Sequence, residues 1–285
     1  MIETSTLRDL IAKNIGTTAS RNRMAVKMTP SLRKFRDYTA VGRKAFLVED
    51  LEDGAEAIYD KDPEITAYVV AEEGDNVLSV ARSRRVHFPT FEIASNPQNH
   101  VSQIKQRRYD QVKRSIELGV SAVKEKEDIR VFAVINSLAT DPNNPHTDIA
   151  IAAPLTADII ADAFAQIEEH GLRVARIFMN GRDYADLRKF DRDVIDPETQ
   201  QALFRTGYVG KVYGAQVIRT RVIQPGTVYI CGEREYYGRF PVRTELTVIT
   251  ADVPQERIVG FSIFQEQGVG AYNPLASQRL LIARS

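Results

Sequence analysis

The residues of this chain that could do chemistry are few and far apart. Its four histidines are His87, His100, His146 and His170, and none stands at a metal-ligand spacing from another histidine or from a cysteine. His170 ends a predicted helix, where the helix dipole favours an imidazolium, and we therefore assign it a structural role. The histidine pattern predicts no metal site.

The single cysteine, Cys231, lies in the apolar run Val228-Tyr229-Ile230-Cys231. A buried cysteine behaves as a small hydrophobic residue, and no Cys/His signature surrounds this one, so we do not expect a nucleophile. One cysteine cannot form an internal disulfide. This fits assembly in a reducing compartment such as the cytoplasm.

Three glycines, Gly207, Gly210 and Gly214, suggest a phosphate-binding loop. That motif needs Ser or Thr after Gly-Lys, and here Val212 follows Gly210-Lys211, outside any strand–loop–helix context. We interpret them as turn glycines before a strand.

Carboxylate pairs such as Asp191 with Asp193 are expected background in a charge-rich chain. The sequence holds no nucleophile elbow, dinucleotide-binding fingerprint or zinc-protease motif, so we predict no catalytic residue, metal ligand or cofactor, and no enzyme.

The elements that carry these residues predict an α+β fold, with helices first and strands after. Apolar residues recur at helical spacing over 101–126, which predicts a helix of about 39 Å at about 1.5 Å per residue. The apolar run 131–135 that follows fits a strand or a buried helix. Before the long helix, two β-prone runs at 67–71 and 77–81 flank a glycine-containing turn and predict a hairpin, and an extended segment covers 87–93.

Shorter elements complete the prediction. A helix over 157–170 begins at Thr156, stops at Gly171 and buries Ile159, Ile160, Ala163, Phe164 and Ile167. A short helix over 183–189 points Tyr184 and Leu187 inward. Gln224-Pro225-Gly226 is typical of a type II turn. The predicted strands cover 174–179, 216–223, 227–231, 245–250, 258–265 and 279–283.

The formal net charge is zero, with 38 basic and 38 acidic residues, but the charges are unevenly distributed. Residues 1–44 are strongly basic, with sparse apolar residues that cannot bury enough surface to fold alone, and residues 45–75 are strongly acidic. Both stretches could be solvated segments, could contact neighbouring copies through complementary charge, or, for the basic stretch, could contact nucleic-acid phosphates. The contact candidates are Arg21, Arg23, Lys27, Arg33, Lys34, Arg36, Glu49, Asp50, Glu52, Asp53, Glu72, Glu73 and Asp75.

No run approaches the roughly 20 apolar residues that a membrane span needs. The first ten residues lack the apolar core of a secretory signal. We therefore expect no contact with a membrane.

The order of these parts resembles the major capsid protein of tailed bacteriophages, the Hong Kong 97 fold that encapsulin nanocompartments share. The resemblance covers nearly the whole chain and is most telling over Leu203–Pro274, from Leu-Phe-Arg-Thr-Gly-Tyr-Val-Gly-Lys-Val-Tyr-Gly-Ala-Gln-Val-Ile to Phe-Ser-Ile-Phe-Gln-Glu-Gln-Gly-Val-Gly. Ile177-Phe178-Met179-Asn180, in its helix–strand context, is also similar to the axial domain of that family.

The resemblance implies a division of the chain. Residues 1–44 would be the N-terminal arm, 45–91 an extended β-hairpin loop, and 92–150 a peripheral domain with a long spine helix. Residues 151–239 would be the axial domain, and 240–285 would be C-terminal strands shared by the peripheral and axial domains. Because arm and loop lie across neighbouring subunits in this fold, the charge asymmetry then favours contacts between copies.

The implied function is a structural subunit that self-assembles into pentamers and hexamers of an icosahedral shell around double-stranded DNA, located in the virion capsid and assembled in the host cytoplasm. The implied partners are other copies, a portal, a scaffolding protein (or a mature form of the chain, since little precedes the arm) and possible decoration proteins. Lys61 is the one lysine in the proposed loop, and we expect no covalent cross-link. The alternatives are an encapsulin-like shell that loads a cargo enzyme and a soluble two-domain enzyme.

Overall fold

The structure is a computed structural model that describes residues 36–63, 83–106, 111–142, 144–146, 148–152, 154–190 and 210–283. Its α-helices are α1 (Val101–Gln106), α2 (Gln111–Ala139), α3 (Ala157–Glu168), α4 (Gly181–Leu187) and α5 (Arg234–Tyr237). Its strands are β1 (Leu47–Asp50), β2 (Ile58–Lys61), β3 (Arg84–His87), β4 (Thr90–Ser95), β5 (Gln98–His100), β6 (Ile149–Ile151), β7 (Val174–Met179), β8 (Lys211–Val212), β9 (Ala215–Arg219), β10 (Thr227–Gly232), β11 (Gly238–Thr250), β12 (Ile258–Gly268), β13 (Gly270–Ala271) and β14 (Ser277–Ile282).

Within the described residues, the strands form two six-stranded sheets and one separate two-stranded hairpin. The first sheet has the order β1-β11-β12-β4, with β13 beside β11 and β5 beside β12. The second has the order β6-β14-β10-β7-β9-β8, and β2 pairs with β3 alone. The predicted α+β class is confirmed. The predicted order of helices before strands is wrong, because five described strands precede α2, and three of them, β1, β4 and β5, pair with strands from the C-terminal half of the chain.

The chain divides into two compact units. The first unit comprises residues 1–39, 93–126 and 246–265, and the second comprises 40–92, 127–245 and 266–285. In the first unit, α2 lies close to β12, since a Cβ on Gly119 would be 2.5 Å from Cδ1 of Ile263. The predicted apolar stripe of α2 faces inward there: Val123 is buried, and Val112, Ile116 and Val120 are half-buried.

The second sheet is the centre of the second unit. Successive side chains of a strand point to opposite faces, so Ile177 and Met179 of β7 face one side and Phe178 the other. The first side packs on α3 and α4, where Ile160, Phe164, Ile167, Tyr184 and Leu187 are buried. The second side packs on α2, where Val131, Phe132, Ile135 and Leu138 are buried with Tyr229 and Cys231. Each fully buried side chain of this size stabilises the fold by about 1.5–3 kcal/mol.

The long helix ends at Ala139, well after the predicted end at Lys126. No Gly or Pro interrupts residues 126–131, and Val131 and Ile135 continue the helical spacing of buried residues, so nothing in the sequence stops the helix there. The run 131–135 is therefore buried helix, the second of its two predicted alternatives. At about 1.5 Å per residue, α2 is about 43 Å long.

Other predicted elements differ from the structure at their ends. α3 ends at Glu168 instead of His170, because the N–H groups of His170 and Gly171 bond three residues back, to the carbonyls of Ile167 and Glu168, instead of four. Gly171 is left-handed, with φ +74°, as a stop residue requires. α4 begins at Gly181, two residues before the predicted start, because the Asn180 side chain accepts from the N–H of Arg182 at 3.1 Å.

In the C-terminal third, the strand predicted over 216–223 ends at Arg219, and β11 begins at Gly238 instead of 245. Gly226 has φ +91°, which confirms that the Pro-Gly turn needs glycine, and its N–H donates to both oxygens of buried Asp183 at 3.0 and 3.1 Å. The extended segment over 87–93 is confirmed by β3 and β4. The hairpin predicted over 67–71 and 77–81 lies outside the described residues.

Within the described ranges, no helix is both long enough and apolar enough to cross a membrane.

The buried thiol of Cys231 gives the second unit a pH dependence. Burial raises the pKa of Cys231 to about 12 from an ordinary value of 9.0, although a hydrogen bond with Tyr237 and the charge of Arg176 act in the opposite direction. The folded chain therefore keeps the thiol proton at pH values at which the unfolded chain has lost it. The stability that this provides is fully present below pH 9 and is lost as the pH rises to about 12.

We expect the free energy of unfolding to fall by about 1.4 kcal/mol per pH unit between pH 9 and 12 through this thiol alone. Urea unfolding of the unassembled chain at several pH values measures it, with Cys231→Ala as the comparison. Cys231 also contributes to the raised pKa values of Tyr229 and Tyr237, so the difference between the two curves reports the thiol together with its coupling to these tyrosines. Parallel curves would contradict the assignment.

Candidate functional site

The predicted contact residues divide between described and undescribed parts of the chain. Arg36 and the acidic residues Glu49, Asp50, Glu52 and Asp53 are described. The remaining candidates lie outside the described residues and stay predictions; they are Arg21, Arg23, Lys27, Arg33, Lys34, Glu72, Glu73 and Asp75. Of the described ones, Arg36, Asp50, Glu52 and Asp53 are exposed and Glu49 is half-buried.

In the first unit, the residues that follow Arg36 are fixed to the side of α2. Asp37 accepts a hydrogen bond from Nη1 of Arg114 at 2.9 Å, and the N–H of Tyr38 donates to Oγ of Ser121 at 2.8 Å. Arg114 also pairs with Glu117 at 2.8 Å. The hydrogen bonds from Arg114 to Asp37 and Glu117 raise the pKa of this guanidinium, so Arg114 stays positively charged throughout the ordinary pH range.

In the second unit, two buried carboxylates of α2 hold residues 41–43. Asp128, which is fully buried, accepts from the N–H groups of Val41 at 2.9 Å and Gly42 at 2.8 Å. Gly42 is required there, because a Cβ would lie 2.7 Å from Oδ1 of Asp128 and 2.8 Å from Cγ1 of Val131. The backbone of this turn is thereby fixed to the helix.

Arg43 extends the same contact. Its Nε donates to Glu127 at 2.7 Å, its Nη1 donates to Glu245 at 2.9 Å, and its Nη2 donates to Gln267 at 3.2 Å. Burial lowers the pKa of Arg43, but the hydrogen bonds and charges of Glu127 and Glu245 outweigh it, and the pKa is raised overall. Side chains of α2 thus hold residues 37 and 38 in the first unit and residues 41–43 in the second.

Sequence reasoning missed this anchor. It counted Arg43 among the basic residues of the arm and passed over Glu127 and Asp128. The available signal was the helical spacing, which places this adjacent acidic pair in line with the apolar residues Val123 and Val131. Acidic residues on a buried face are rare unless they are paired, so such an interruption indicates a buried anchor.

The acidic segment, which we define as residues 50–56, follows the edge strand β1. β1 is parallel to β11, with Leu47 opposite Arg239 and Asp50 opposite Val242. Glu49 is occupied within the chain by an ion pair with Arg239 at 2.5 Å.

The backbone of the acidic segment is fixed. The N–H of Leu51 donates to the carbonyl of Val242 at 2.7 Å, and Arg243 donates to the carbonyl of Ala55 at 2.7 Å. No ion pair to the exposed carboxylates of Asp50, Glu52 and Asp53 is present in the part of the chain that the structure describes. Their charge is available to a partner.

A cavity of about 150 Å³ lies within the second unit, beside Tyr59, Lys61, Phe88, Arg239 and Tyr272. Burial raises the pKa of Tyr59 to about 12, and a hydrogen bond with Glu49 adds to the shift. The phenol therefore stays protonated and is a poor general base near neutral pH. The cavity therefore presents charged and aromatic side chains, and Tyr59 is not an activated nucleophile.

Two of the histidines, His146 and His170, lie in contact with each other. The rings of His146 and His170 stack with centroids 5.2 Å apart, and Nδ1 of buried His146 lies 3.0 Å from the carbonyl oxygen of Ser277. A carbonyl can only accept, so Nδ1 carries a proton. Among the described residues, no group of three or more His, Cys, Asp or Glu side chains is placed to hold a metal ion.

We expect Asp128→Ala to lower the free energy of unfolding by about 3 kcal/mol, because two buried N–H groups would lose their acceptor. Urea unfolding of the unassembled chain measures the change. Asp162→Ala, at an exposed position of α3, is the matched control and should change stability by about 0.5 kcal/mol or less. Equal effects of the two substitutions would show that residues 41–43 are not held as described.

Comparison with known proteins yields matches in structure alone. No protein-family model matches the chain, and no curated protein matches its sequence. The capsid structure of cyanophage P-SCSP1u matches with a TM-score of 0.70 and 15% identity, over 90% of this chain and 92% of that one. The mature capsid of bacteriophage PhiM1 matches with a TM-score of 0.65 and 10% identity, over 90% and 91% of the two chains.

A third match is the capsid of a native GTA particle, with a TM-score of 0.64 and 13% identity, over 94% of this chain and 100% of that one. Each match spans nine-tenths or more of both chains. The chain therefore has the fold of phage capsid proteins.

Proposed function

We propose that this chain is the major capsid protein of a tailed phage, a structural subunit that self-assembles into an icosahedral shell around double-stranded DNA. The observation that carries the proposal is the structural match to phage capsids over about nine-tenths of the chain, with equally high coverage of the matched chains. A partial match could reflect a shared domain. A match over about nine-tenths of both chains favours a shared role as a shell subunit.

The domain division belongs to this proposal. Residues 1–44 form the N-terminal arm, 45–91 the extended loop, 92–150 the peripheral domain, 151–239 the axial domain, and 240–285 the strands that both domains share. The separate β2–β3 ladder, with Ile58 opposite His87 and Lys61 opposite Arg84, supports a hairpin base within residues 45–91. Pentamers and hexamers assemble through contacts that each chain repeats many times, so weak individual interfaces produce a stable closed shell.

The charged residues have a role in this assembly. The exposed acidic segment supplies carboxylates for contacts between copies, and the basic residues of the arm contact neighbouring copies or DNA phosphates. Further partners are a scaffolding protein, a portal and decoration proteins. The shell is located in the virion and assembles in the host cytoplasm. An encapsulin-like shell is the competing function, and the content of the particles separates the two.

Electron microscopy of the purified chain tests the proposal. We expect closed shells or capsomer rings of uniform size in negative stain, either from the chain alone or when it is co-expressed with the proteins encoded beside its gene. Double-stranded DNA in particles from infected cells would identify a phage capsid, and a protein cargo without DNA would identify a nanocompartment. A stable monomer or dimer under both expression conditions would overturn the assembly function.

The arm provides a second test. We expect the triple substitution of Arg33, Lys34 and Arg36 by alanine to reduce shell yield or genome content, because three positive charges are removed from the proposed contact segment. The control replaces three exposed basic residues outside the arm, Lys126, Arg182 and Lys211. Particle counts and DNA content per particle measure the outcome. Full-genome particles at normal yield from the arm variant would refute this role.

A further inference from the structure

Arg176 of β7 occupies an unusual position for an arginine. It lies opposite Cys231 of β10, on the sheet face that carries Phe178. Its side chain is half-buried, and its Nε and Nη1 are shielded from solvent without a hydrogen-bond partner in the described part of the chain. A buried donor that lacks an acceptor destabilises the fold, so a guanidinium in this position indicates an acceptor from elsewhere.

A second cation lies beside the first. Arg234 is exposed at the start of α5, directly after β10, and its Nε donates to the carbonyl oxygen of Lys44 at 3.0 Å. Burial lowers the pKa of Arg176, and the positive charge of Arg234 lowers it further. Across the described ranges, no ion pair joins either guanidinium to a carboxylate. Two cations that repel each other, one of them desolvated, form a site for an oxyanion.

The surroundings favour a carboxylate over nucleic acid. Because part of the Arg176 guanidinium is recessed, its ligand must be a small planar group at the end of a thin side chain. A protein carboxylate is such a group, and it can accept two parallel hydrogen bonds from one guanidinium. Glu233 and Glu235 flank Arg234 in sequence and would repel a row of phosphates. The site therefore fits one acidic side chain better than a DNA backbone.

The same chain carries carboxylates that match this site. Asp50, Glu52, Asp53 and Glu56 of the acidic segment are exposed. Within one copy, these carboxylates lie away from α5. Leu47 pairs with Arg239, close to the end of α5, and β1 then runs parallel to β11, so Asp50 lies about 10 Å further along the sheet. Complementary patches at different places on one chain produce head-to-tail contacts, and a head-to-tail contact that closes on itself generates a ring of subunits.

We propose that Arg176 and Arg234 of one copy bind a carboxylate from the acidic segment of a second copy. The pairing rests on the proposed shell function and deepens it, since it names the residues that fix the register between neighbouring subunits. It makes Arg176 a specificity residue for self-assembly.

Zero-length cross-linking tests the pairing in assembled shells. Arg176→Lys places an amine at the site, and a carbodiimide joins an amine to a carboxylate only when the two are in contact. Shells assembled from equal amounts of isotope-labelled and unlabelled chains should give a cross-linked peptide pair between position 176 and residues 50–56. Its mixed isotope pattern would show that the two ends come from different copies. Arg182→Lys, which places an amine at an exposed position on α4, is the control and should give no cross-linked pair between position 182 and residues 50–56.

Charge removal provides the second measurement. Arg176→Met keeps the length of the side chain and removes its charge, and losing one charge-assisted pair weakens each contact by about tenfold. The critical protein concentration for assembly should rise accordingly, and Glu52→Arg combined with Arg176→Glu should restore part of the loss. Circular dichroism and thermal unfolding check that each variant folds. Should Arg176→Met fail to fold, the Arg176→Lys cross-link decides the question alone.

The outcomes separate this inference from the proposed function. Wild-type shells together with an unchanged critical concentration for Arg176→Met would overturn the pairing and leave the shell function in place. A cross-link from position 176 that stays within one chain, or that joins a carboxylate outside residues 50–56, would also overturn the pairing. The same holds if Arg176→Met shells assemble normally and lose DNA. Failure of the wild-type chain to assemble under any condition would overturn both.

Discussion

Burial of both faces of the sheet β6-β14-β10-β7-β9-β8 is the constraint on which the second unit depends. Its central strands β7 and β10 alternate two apolar sets, with Ile177 and Ile230 on one side and Phe178 and Tyr229 on the other. Both faces must be covered, because either one left in water would lose much of the stabilisation from burial. The helices α3 and α4 cover one face, and the continuation of α2 beyond Lys126 helps to cover the other. The length of α2, the burial of Cys231 and the recessed position of Arg176 all follow from this demand.

A second level of organisation comes from how the chain satisfies its buried charges. Glu127 and Asp128 are almost fully buried on α2, a position that acidic residues take only when they are paired. They are satisfied by Arg43 and by the backbone of Val41 and Gly42, so the cost of burying them is offset by the hydrogen bonds that fix residues 41–43 to the helix. The structure uses these carboxylates internally and directs those of the acidic segment outward. In the proposed shell, this division separates the charges that build the subunit from the charges that select its neighbours.

Much of the fold could be predicted from residue patterns because it depends on local spacing. The strand Val174–Met179, the apolar stripe of α2, the inward positions of Tyr184 and Leu187 and the glycine of the Pro-Gly turn each follow from periodicity or from a single backbone requirement. The errors occurred at element ends and in pairing. α2 continues past its predicted end because it covers sheet residues that lie more than 40 positions away in the sequence. β1 was not predicted because its partner strand, β11, is nearly 200 residues away. A short window of sequence contains neither fact.

The sequence by itself determined the fold class, the absence of readable catalytic motifs, the separation of basic and acidic stretches and the resemblance to capsid proteins. These properties are carried by composition, by periodicity and by the order of parts along the chain. The tertiary structure alone decided which charges are internal and which remain available. Glu49 and Asp50 are neighbours in one acidic run, yet Glu49 pairs with Arg239 and Asp50 is exposed, because strand geometry turns adjacent side chains to opposite sides. Long-range pairing sets the environment of each charge, and that environment determines whether the charge stabilises the subunit or is left for a partner.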